Sequence, residues 1–440
     1  MVDQKGFILS RQWRDTQQGI ELEFWLATDN GAVQVLVTQQ QAVFFLDKTF
    51  ADHAAQLMAK FSGLSRKTVS LQDFSMNAVE GFYFTKQRTL REAREYLLAQ
   101  GLSPLESDIN PGDRFLMERF VRGSMRFRGT PQIVEEGVHR FLNPDITHCE
   151  YQPQFKIISL DIETAIDELA LYSIAVYGIN TKNSQENDKE IPFSQVFMVA
   201  DETLGEGVEV FLNERLLLVG FLNWLEDYDP DIVIGWNVVN FDLWFLERIC
   251  KKHRISFRFG RSGSVPHWRS LSDDGDRKAV LIPGRVVLDG IELLKAASYQ
   301  FESFSLNHVA GQLLGDSKLI TGNDRGEKIT ELFVQDKRSL AKYNVQDCKL
   351  VWDIFEHSKL MEFAIARSCL TGLPLERIGG SVASFDFRYS PLLHREGFVA
   401  PNGHLSDEFE NSPGGFVMDS CPGIYEHVLV LDFKSLYPSI

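Results

Sequence analysis

The sequence predicts a multidomain protein of the α/β and α+β classes, and three observations carry this prediction. The 440 residues suffice for two to four domains, at a usual size of roughly 150 residues each. Residues 1–145 mix alternating strand patterns with a helix pattern, which is typical of an α+β domain. After residue 150, strands and helices alternate, which is typical of an α/β domain with a central sheet.

The composition excludes several classes of protein. Apolar residues make up 44% of the chain, which supports large cores, yet no apolar run approaches the ~18 residues that span a bilayer. The amino terminus lacks a signal-peptide pattern, and the five scattered cysteines form no C-x-x-C pair. We therefore expect a cytoplasmic protein with no zinc site and no membrane partner.

Two basic clusters interrupt a composition whose net charge is −16. One extends over residues 251–285, where only Asp273, Asp274 and Asp276 oppose the basic residues, and the other extends over residues 114–128 among phenylalanines. Phosphate binding with aromatic stacking is one interpretation of both clusters. A solvated surface over core aromatics is the alternative, and we favour it for residues 114–128.

The first domain shows strand and helix signals but no set of chemical groups. Alternation predicts strands over residues 21–27 and 32–37, and Asp29-Asn-Gly31 is a hairpin turn signal between them. A further strand is predicted over residues 81–85. The capping-box pattern from Thr89 to Glu92 predicts the start of a helix. No compact group of acids, histidines or thiols occurs in this region.

The second domain contains the alternating elements. A polar loop is predicted over residues 180–190. Strands are predicted over residues 155–160, 171–178, 195–200, 231–235 and 286–289, and helices over residues 213–227, 242–253, 305–314 and 339–360.

Acidic residues stand at the ends of several of these elements. Asp161 and Glu163 follow the first strand and share one face of it, where two carboxylates repel each other unless a cation neutralises them. Asp242 stands near the start of a helix, where it could also act as a plain amino-terminal cap. Tyr343 and Asp347 are four residues apart on a helix, so they share a face, although a simple polar pair has the same spacing.

Taken together, these residues predict a metal site. Four carboxylates without a histidine favour the hard cations Mg²⁺ or Mn²⁺. Two such ions ~4 Å apart can activate water and stabilise the leaving oxygen in phosphodiester hydrolysis.

The last residues predict a further centre. The apolar run over residues 428–431 is expected to be a buried strand that presents Asp432 at its end, and a buried strand closed by a proline turn is the alternative. One acid can hold a metal only with partners from elsewhere. We therefore expect the chain to be a fragment.

These motifs, in this order, resemble those of the family B DNA polymerases. D-I-E at Asp161, N-x-x-x-F-D at Asn237 and Y-x-x-x-D at Tyr343 resemble the three exonuclease motifs of the DEDDy type, and the terminal D-x-x-S-L-Y-P-S-I resembles the first polymerase motif. The layout is most similar to that of the bacterial members. The resemblance implies an amino-terminal domain over residues 1–148, completed by about 366–390. It also implies a ribonuclease H-like 3′→5′ exonuclease domain over residues 149–365, and the start of the palm over residues 391–440.

The same resemblance implies roles for the exonuclease residues. Asp161 would bridge two metal ions, and Glu163 and Asp347 would complete the inner metal site. Asp242 would hold the second ion. Tyr343 would hydrogen-bond the attacking water or the scissile phosphate. Two further residues, Asn237 and Phe241, would shape the pocket for the terminal nucleotides.

Roles in the polymerase site are implied as well. Asp432 would bind the polymerase metals, Phe433 would lend its carbonyl, and Tyr437 would stack under the incoming sugar. Ser435 and Leu436 are expected among the nucleotide-binding residues. This sequence departs from the family's Y-x-G-G segment, because Ser412 stands where the family has tyrosine. Residues 257–287 lie where the family carries a β-hairpin that separates primer from template, although a mobile basic loop fits equally.

The resemblance thus implies a proofreading polymerase fragment that retains only the exonuclease. The expected partners are primer–template DNA, its single-stranded 3′ end, and dNTP in the full-length protein; a sliding clamp is a candidate partner through regions beyond this chain. The expected location is the bacterial nucleoid. Two alternatives remain: a stand-alone DEDDy exonuclease acting on RNA, and a catalytically silent nucleic-acid binding module.

Overall fold

A computed structural model describes residues 1–133, 138–165, 168–182, 189–271, 277–315, 325–403 and 419–431. The chain divides into two compact units, Met1–Asn402 and Gly403–Ile440. Among the described residues, no helix is both long and apolar enough to cross a membrane.

The strands are numbered in chain order. They are β1 (Val2–Thr16), β2 (Gly19–Thr28), β3 (Gly31–Gln40), β4 (Ala42–Asp47), β5 (Leu64–Gln72), β6 (Ala78–Phe84), β7 (Ser124–Gly129), β8 (Pro131–Ile133), β9 (His139–Leu142), β10 (Asp145–His148), β11 (Ile157–Thr164), β12 (Leu171–Lys182), β13 (Lys189–Val199), β14 (Val208–Phe211), β15 (Ile232–Gly235), β16 (His267–Ser270), β17 (Lys278–Leu281) and β18 (Val286–Asp289).

The α-helices follow the same convention. They are α1 (Lys48–Leu57), α2 (Gln87–Ala99), α3 (Pro111–Glu118), α4 (Glu214–Tyr228), α5 (Trp244–Lys252), α6 (Gly290–Ala296), α7 (Leu306–Leu314), α8 (Arg325–Gln335), α9 (Lys337–His357), α10 (Leu360–Thr371) and α11 (Ser381–Arg395).

Four sheets organise the described part of the larger unit. The strands of the first 148 residues form a seven-stranded sheet, ordered β10-β7-β1-β2-β3-β9-β8, and a three-stranded sheet, ordered β4-β6-β5. The second region forms a six-stranded sheet, ordered β14-β13-β12-β11-β15-β18, and a separate β16–β17 pair. Because β11, β15 and β18 are parallel while β12 is antiparallel to β11, the six-stranded sheet is mixed. The predicted combination of α+β and α/β regions is confirmed.

Apolar side chains from the sheets and their covering helices build the cores. One core contains Phe24, Phe44, Phe82 and Phe127 of the amino-terminal sheets. A second lies against the six-stranded sheet under α4 and α5, and a third joins that sheet to α9 and to β1. The third core includes Phe7 and Trp25, so the amino-terminal sheet packs directly on the second region.

Several predicted elements are confirmed and one cap is wrong. β2 and β3 pair antiparallel with Thr28 opposite Gly31, as the hairpin signal predicts. Helix α2 forms, but its first N–H groups are not capped by Thr89. The carboxylate of Asp15, on β1, accepts the backbone N–H groups of Gln87 and Arg88 at 2.8 and 3.0 Å instead.

The prediction of a buried strand over residues 428–431 is wrong. These residues have no strand partner among the described residues, and the side chains from Val428 to Leu431 are exposed. A strand needs a neighbouring strand to accept and donate its backbone hydrogen bonds. The described part of this unit, Gly403 and residues 419–431, offers none. Asp432 and the rest of the motif lie outside the described residues.

Candidate active site

Strand β11 carries the first two acids. The apolar pattern suggested that Asp161 and Glu163 follow the end of the strand. The strand instead runs to Thr164, so both residues lie within it. The strand extends this far because β12 pairs with it through Glu163 and Thr164. Alternation places both carboxylates on one face. Glu163 is almost fully buried, with 2% of its surface exposed, and Asp161 is half-buried.

Helix α9 brings the third acid to that face. It packs against β11 and β12, and its capping residue is Asp336, which accepts the N–H of Ser339. Asp347 points from α9 toward β11 and is completely buried. Carboxylate oxygens of Asp161, Glu163 and Asp347 all lie within 4.8 Å of one another. The predicted convergence of a strand pair and a distant helix is therefore present.

Tyr343 lies one turn before Asp347 on α9. Its ring is buried in an apolar cluster with Tyr172, Ala175 and Val196 of the sheet. The helical spacing of four residues keeps the phenol on the face that carries Asp347. The sheet therefore holds the ring in place on the side of the acids.

Asp242 approaches the same strand from a π-helical turn, Val239–Leu243, that precedes α5. Its Oδ1 accepts the backbone N–H of Ile162, between the two acids of β11, at 3.1 Å. The alternative interpretation as a helix cap is not supported, because no side chain caps α5, which starts at Trp244. Single π-helical turns occur frequently at functional sites.

The raised pKa values of two buried groups show that negative charge is concentrated in the cluster. Burial, and then the charge of Asp161, raises the pKa of Asp242 well above its ordinary value. Burial and the charges of the four surrounding carboxylates raise the pKa of the Cys348 thiol on α9. Each additional carboxylate disfavours the charged state of the others unless a cation compensates.

This donor set fits a divalent cation. Three carboxylates offer oxygen ligands close enough to share one ion, and the group contains only acids. Hard cations prefer oxygen ligands, and a cation would relieve the repulsion that raises the pKa of Asp242. The cluster can therefore hold a divalent metal.

Two polar residues next to the acids were not identified from the sequence. Asn344 donates from Nδ2 to Asp161 Oδ2 at 2.8 Å, and Ser173 of β12 donates from Oγ to Asn344 Oδ1 at 2.8 Å. This pair orients the Asp161 carboxylate. Its only sequence signal was the adjacency of Asn344 to Tyr343, because nothing in the local pattern of β12 distinguishes Ser173.

Another buried acid, Asp289, stands at the end of β18. Its Oδ1 accepts the N–H groups of Ile291 and Glu292 at 3.0 and 3.4 Å, which caps α6. Burial raises its pKa to about 6, and its charge adds to the rise in the pKa of Asp242. An apolar run followed by an acid was visible in the sequence at residues 286–289, as it was at Asp161.

The predicted nucleotide-pocket residues lie beside the π-turn. Asn237 follows β15 in the left-handed conformation, with φ of 58°. Phe241 is 47% exposed and lies against Phe245, with ring centroids 6.3 Å apart. An exposed aromatic ring beside buried acids is available for stacking on a base. The other predicted nucleotide residues, Phe433, Ser435, Leu436 and Tyr437, lie outside the described residues, as does Ser412.

The basic clusters divide into structural and exposed residues. Arg261 and Arg285 are buried, and both donate to the Asp229 carboxylate at the end of α4, at 2.7 and 2.9 Å. These two arginines are therefore part of the fold. In the other cluster Arg114 is buried against Glu106, while Arg126 and Arg128 pair with acids. The interpretation of residues 114–128 as a surface over core aromatics is supported.

A β-hairpin lies within the basic stretch of residues 251–285. β16 and β17 pair antiparallel, and residues 272–276, which lie between them in the sequence, are outside the described residues. Trp268 of β16 meets Trp244 of α5 edge to face, with centroids 5.1 Å apart. The Asn240 Oδ1 in the π-turn accepts the Lys278 backbone N–H at 2.9 Å. The base of the hairpin is therefore attached to the turn that carries Phe241 and Asp242.

Comparison with protein families finds three matches in sequence order. Residues 6–41 match the DNA polymerase II amino-terminal model, residues 106–309 the exonuclease domain of DNA polymerase family B, and residues 389–440 the DNA polymerase family B model. Three of the four clustered acids, Asp161, Glu163 and Asp242, lie within the second match, and Asp347 lies beyond it.

Similar proteins include bacterial and archaeal polymerases. DNA polymerase II of Escherichia coli is 40% identical over 99% of this chain and 54% of its own length. A DNA polymerase of Pyrococcus glycovorans is 28% identical over 66% of this chain and 37% of its own length. The solved family B DNA polymerase of Pyrobaculum calidifontis has a TM-score of 0.73 at 21% identity, covering 99% of this chain and 56% of that one. The chain thus spans about half the length of the E. coli relative.

Proposed function

The chain belongs to the family B DNA polymerases, and we propose that its acid cluster is a 3′→5′ exonuclease site that removes mismatched nucleotides from a primer end. The observation that carries the proposal is the convergence of Asp161, Glu163 and Asp347 within 4.8 Å. The substrate is DNA, in the form of a primer–template with an unpaired 3′ end. A mismatched end enters a single-strand site at lower cost than a paired one, which makes removal selective.

The metal ligands are the four acids. Asp161, Glu163 and Asp347 would hold one Mg²⁺ or Mn²⁺ ion, and Asp242 would share the second with Asp161. The ions would supply the positive charge that activates water and stabilises the leaving oxygen in phosphodiester hydrolysis. Two protein side chains have further roles in this proposal. Tyr343 hydrogen-bonds the attacking water or the scissile phosphate, and Asn344 keeps the Asp161 carboxylate in one orientation.

The remaining assignments form part of the same proposal. Asn237 and Phe241 contact the terminal nucleotides, and the β16–β17 hairpin helps to keep primer and template apart. The domains are an amino-terminal domain over residues 1–148 completed by 366–390, the exonuclease domain over 149–365, and the palm from residue 391. Asp432, Phe433, Ser435, Leu436 and Tyr437 belong to the polymerase site, which takes dNTP. The cell compartment is the bacterial cytoplasm, and a sliding clamp is a candidate partner.

The decisive experiment removes the two acids of β11. Changing Asp161 and Glu163 together to Ala is expected to abolish Mg²⁺-dependent degradation of single-stranded DNA, because the metal site loses two of its ligands. The measurement is gel-resolved shortening of an end-labelled oligonucleotide, with and without Mg²⁺. Asp353→Ala is a matched control, because Asp353 lies on the same helix as Asp347 and pairs at the surface with Lys349.

Three results would replace this proposal. Retained hydrolysis in the double variant would remove the metal assignment. Faster degradation of RNA than of a DNA strand with the same sequence would favour an RNA exonuclease. A silent binding module would instead bind DNA normally while showing no bound Mn²⁺ near Asp161.

A further inference from the structure

The start of β12 is irregular where it passes the acids of β11. Glu163 pairs with Ser173, whereas the next residue, Thr164, pairs with Leu171, so Tyr172 is an extra residue in β12. Such a β-bulge disrupts the ladder of hydrogen bonds between two strands, and bulges are frequent next to active sites, where they re-aim side chains. At this bulge, β12 therefore receives less support from β11 than it does farther along the strand.

The bulge carries residues that support the side chains of the site. Ser173 donates to Asn344, and Asn344 donates to the carboxylate of Asp161. Tyr172 belongs to the apolar cluster that contains the ring of Tyr343. The position of the bulge therefore affects both the orientation of the Asp161 carboxylate and the packing around the Tyr343 ring.

A side chain from α4 holds the bulge from outside the ladder. Glu214 is the first residue of α4, and its Oε1 accepts the backbone N–H of Leu171 at 2.8 Å. The pairing of β12 with its other neighbour, β13, begins only at Ser173. Glu214 therefore supplies an acceptor for β12 beyond the end of that pairing.

The other carboxylate oxygen of Glu214 meets the end of α5. Its Oε2 accepts from Lys252 Nζ at 3.3 Å and lies 2.6 Å from His253 Nε2. Lys252 Nζ also donates to the carbonyl of Leu169 at 2.7 Å, two residues before β12 begins. The Glu214 side chain is only 18% exposed, so salt screens these charges less than it would at an open surface. The segment that leads into β12 is thus attached to both α4 and α5.

Helix α5 extends this attachment to another acid of the site. It follows directly on the π-turn that carries Asp242, and Asp242 accepts the N–H of Ile162 on β11 at 3.1 Å. The π-turn and α5 are therefore fixed to the β11–β12 pair at two places, through Asp242 before α5 begins and through Lys252 at its end.

We propose that Glu214 is a positioning residue of the exonuclease site, which holds the bulge of β12 through the Leu171 N–H and thereby orients Asp161 and Tyr343. This inference rests on the proposed function. Glu214 contacts neither substrate nor metal in this role, and it acts on Asp161 through the bulge and Asn344. Removal of residues that orient metal ligands typically costs 10–100-fold in activity or metal affinity. We expect the lower end of that range, because Glu214 acts through intermediate residues.

Three substitutions separate the hydrogen bond to Leu171 from the charge and from the start of α4. Glu214→Asp keeps an acid in the first turn of α4, where the helix dipole favours it, but its side chain is one methylene too short to reach the Leu171 N–H. Glu214→Gln keeps the length and an acceptor oxygen, and it removes the charge. Glu226→Ala, at an exposed position on the same helix, is the matched control.

The measurements are kcat and KM on single-stranded DNA, Mn²⁺ affinity by titration calorimetry, and hydrogen exchange of the amides of residues 171–174. All proteins are compared at a temperature at which circular dichroism shows them to be folded. We expect Glu214→Asp to lower kcat and Mn²⁺ affinity about 10-fold, with little change in KM, and to accelerate exchange of the Leu171 amide. Glu214→Gln should stay within a few-fold of the wild type in every measurement, and Glu226→Ala should change none.

Three outcomes would overturn the inference. Wild-type exchange of the Leu171 amide in Glu214→Asp would show that the bulge does not depend on this carboxylate. Faster exchange with unchanged kcat and Mn²⁺ affinity would show that Glu214 supports the fold and not the site. A larger loss of kcat in Glu214→Gln than in Glu214→Asp would assign the effect to charge instead of the hydrogen bond.

Failure of the proposed function would give a different result. A wild-type protein that shows no Mg²⁺-dependent hydrolysis would refute the exonuclease assignment. Mn²⁺ affinity and amide exchange in the Glu214 variants would still show whether this residue holds the bulge and the acids in place.

Discussion

Asp161 shows how a single functional side chain depends on its neighbours. The carboxylate lies on β11, receives a hydrogen bond from Asn344 on α9, and Asn344 in turn receives one from Ser173 on β12. Three elements therefore determine one carboxylate orientation. Fixing a ligand before the metal arrives lowers the reorganisation needed on binding, which is why such hydrogen-bonded residues affect activity.

Removing the Asn344 amide should impair catalysis more than folding. Asn344→Ala is expected to lower the rate of single-strand hydrolysis about 10–100-fold and to weaken Mn²⁺ binding, because Asp161 loses its donor. Exonuclease assays and Mn²⁺ titration calorimetry measure the two effects. Asn223→Ala, on the exposed face of α4, is the matched control. Unchanged Mn²⁺ affinity in Asn344→Ala would contradict the orienting role.

At the scale of elements, the start of α2 shows that local patterns can assign a helix correctly and its cap wrongly. The Thr89-x-x-Glu92 pattern predicts a capping box, yet the helix starts earlier, at Gln87, and its first N–H groups point at Asp15. Glu92 pairs with Arg88 at the surface instead. The residue that caps α2 is Asp15 on β1, which is too far from α2 in the sequence to be part of any local pattern around the helix.

The two candidate caps can be separated by stability measurements. Asp15→Ala should lower the free energy of unfolding by roughly 1 kcal/mol, because two backbone N–H groups lose their acceptor. Thr89→Ala should change it by less than about 0.5 kcal/mol. Urea denaturation followed by circular dichroism measures both. A larger loss for Thr89→Ala than for Asp15→Ala would restore the capping box.

At the scale of the whole molecule, a buried polar network ties distant parts of the larger unit together. Glu106 accepts from Arg114 Nη1 at 2.9 Å and from the backbone N–H of Ala400 at 3.0 Å, and its oxygens lie 2.9 Å from His394 Nε2. The next residue, Ser107, donates its N–H to Asn402 at 2.7 Å. The segment after α11 is therefore held to the amino-terminal region by charge-assisted bonds.

This network should make the free energy of unfolding depend on pH in the acidic range. Burial alone would raise the pKa of Glu106, but the hydrogen bond from His394 and the charge of Arg114 outweigh it, so the pKa lies below its ordinary value. A carboxyl group with a lowered pKa stabilises the fold above its unfolded pKa, and that contribution is lost as the pH falls through the folded value. We therefore expect the free energy of unfolding to fall below about pH 4.5.

Glu106→Gln tests this dependence. The variant should be less stable at pH 7 by roughly 3–5 kcal/mol, because Arg114 remains buried without its counter-charge, and it should lose less stability on acidification. Urea denaturation between pH 7 and pH 3 measures both quantities. Glu396→Gln, exposed at the end of α11, is the control. The same acid dependence in Glu106→Gln and the wild type would contradict the assignment.

The sequence by itself determined the class of fold and most elements. It also singled out the four acids that lie on or against β11, which are Asp161, Glu163, Asp242 and Asp347. Periodicity and caps suffice for these features because they depend on residues close together in the chain, as in α4 with its Asn213 cap and α9 with its Asp336 cap. The order of the acids along the chain carried the family resemblance. Local patterns also identified the paired strands β2 and β3.

Tertiary structure alone decided which groups surround the acids. Asn344 and Ser173 lack any distinctive local pattern, and each acquires its place only when α9 and β12 meet β11. Asp289 ends an apolar run in the sequence, yet its place near Asp242 depends on the pairing of β18 with β15. The burial of Arg261 and Arg285 is decided in the same way, because α4 supplies their partner Asp229. Contacts between residues far apart in the chain depend on how whole elements pack, and packing is absent from any local window of sequence.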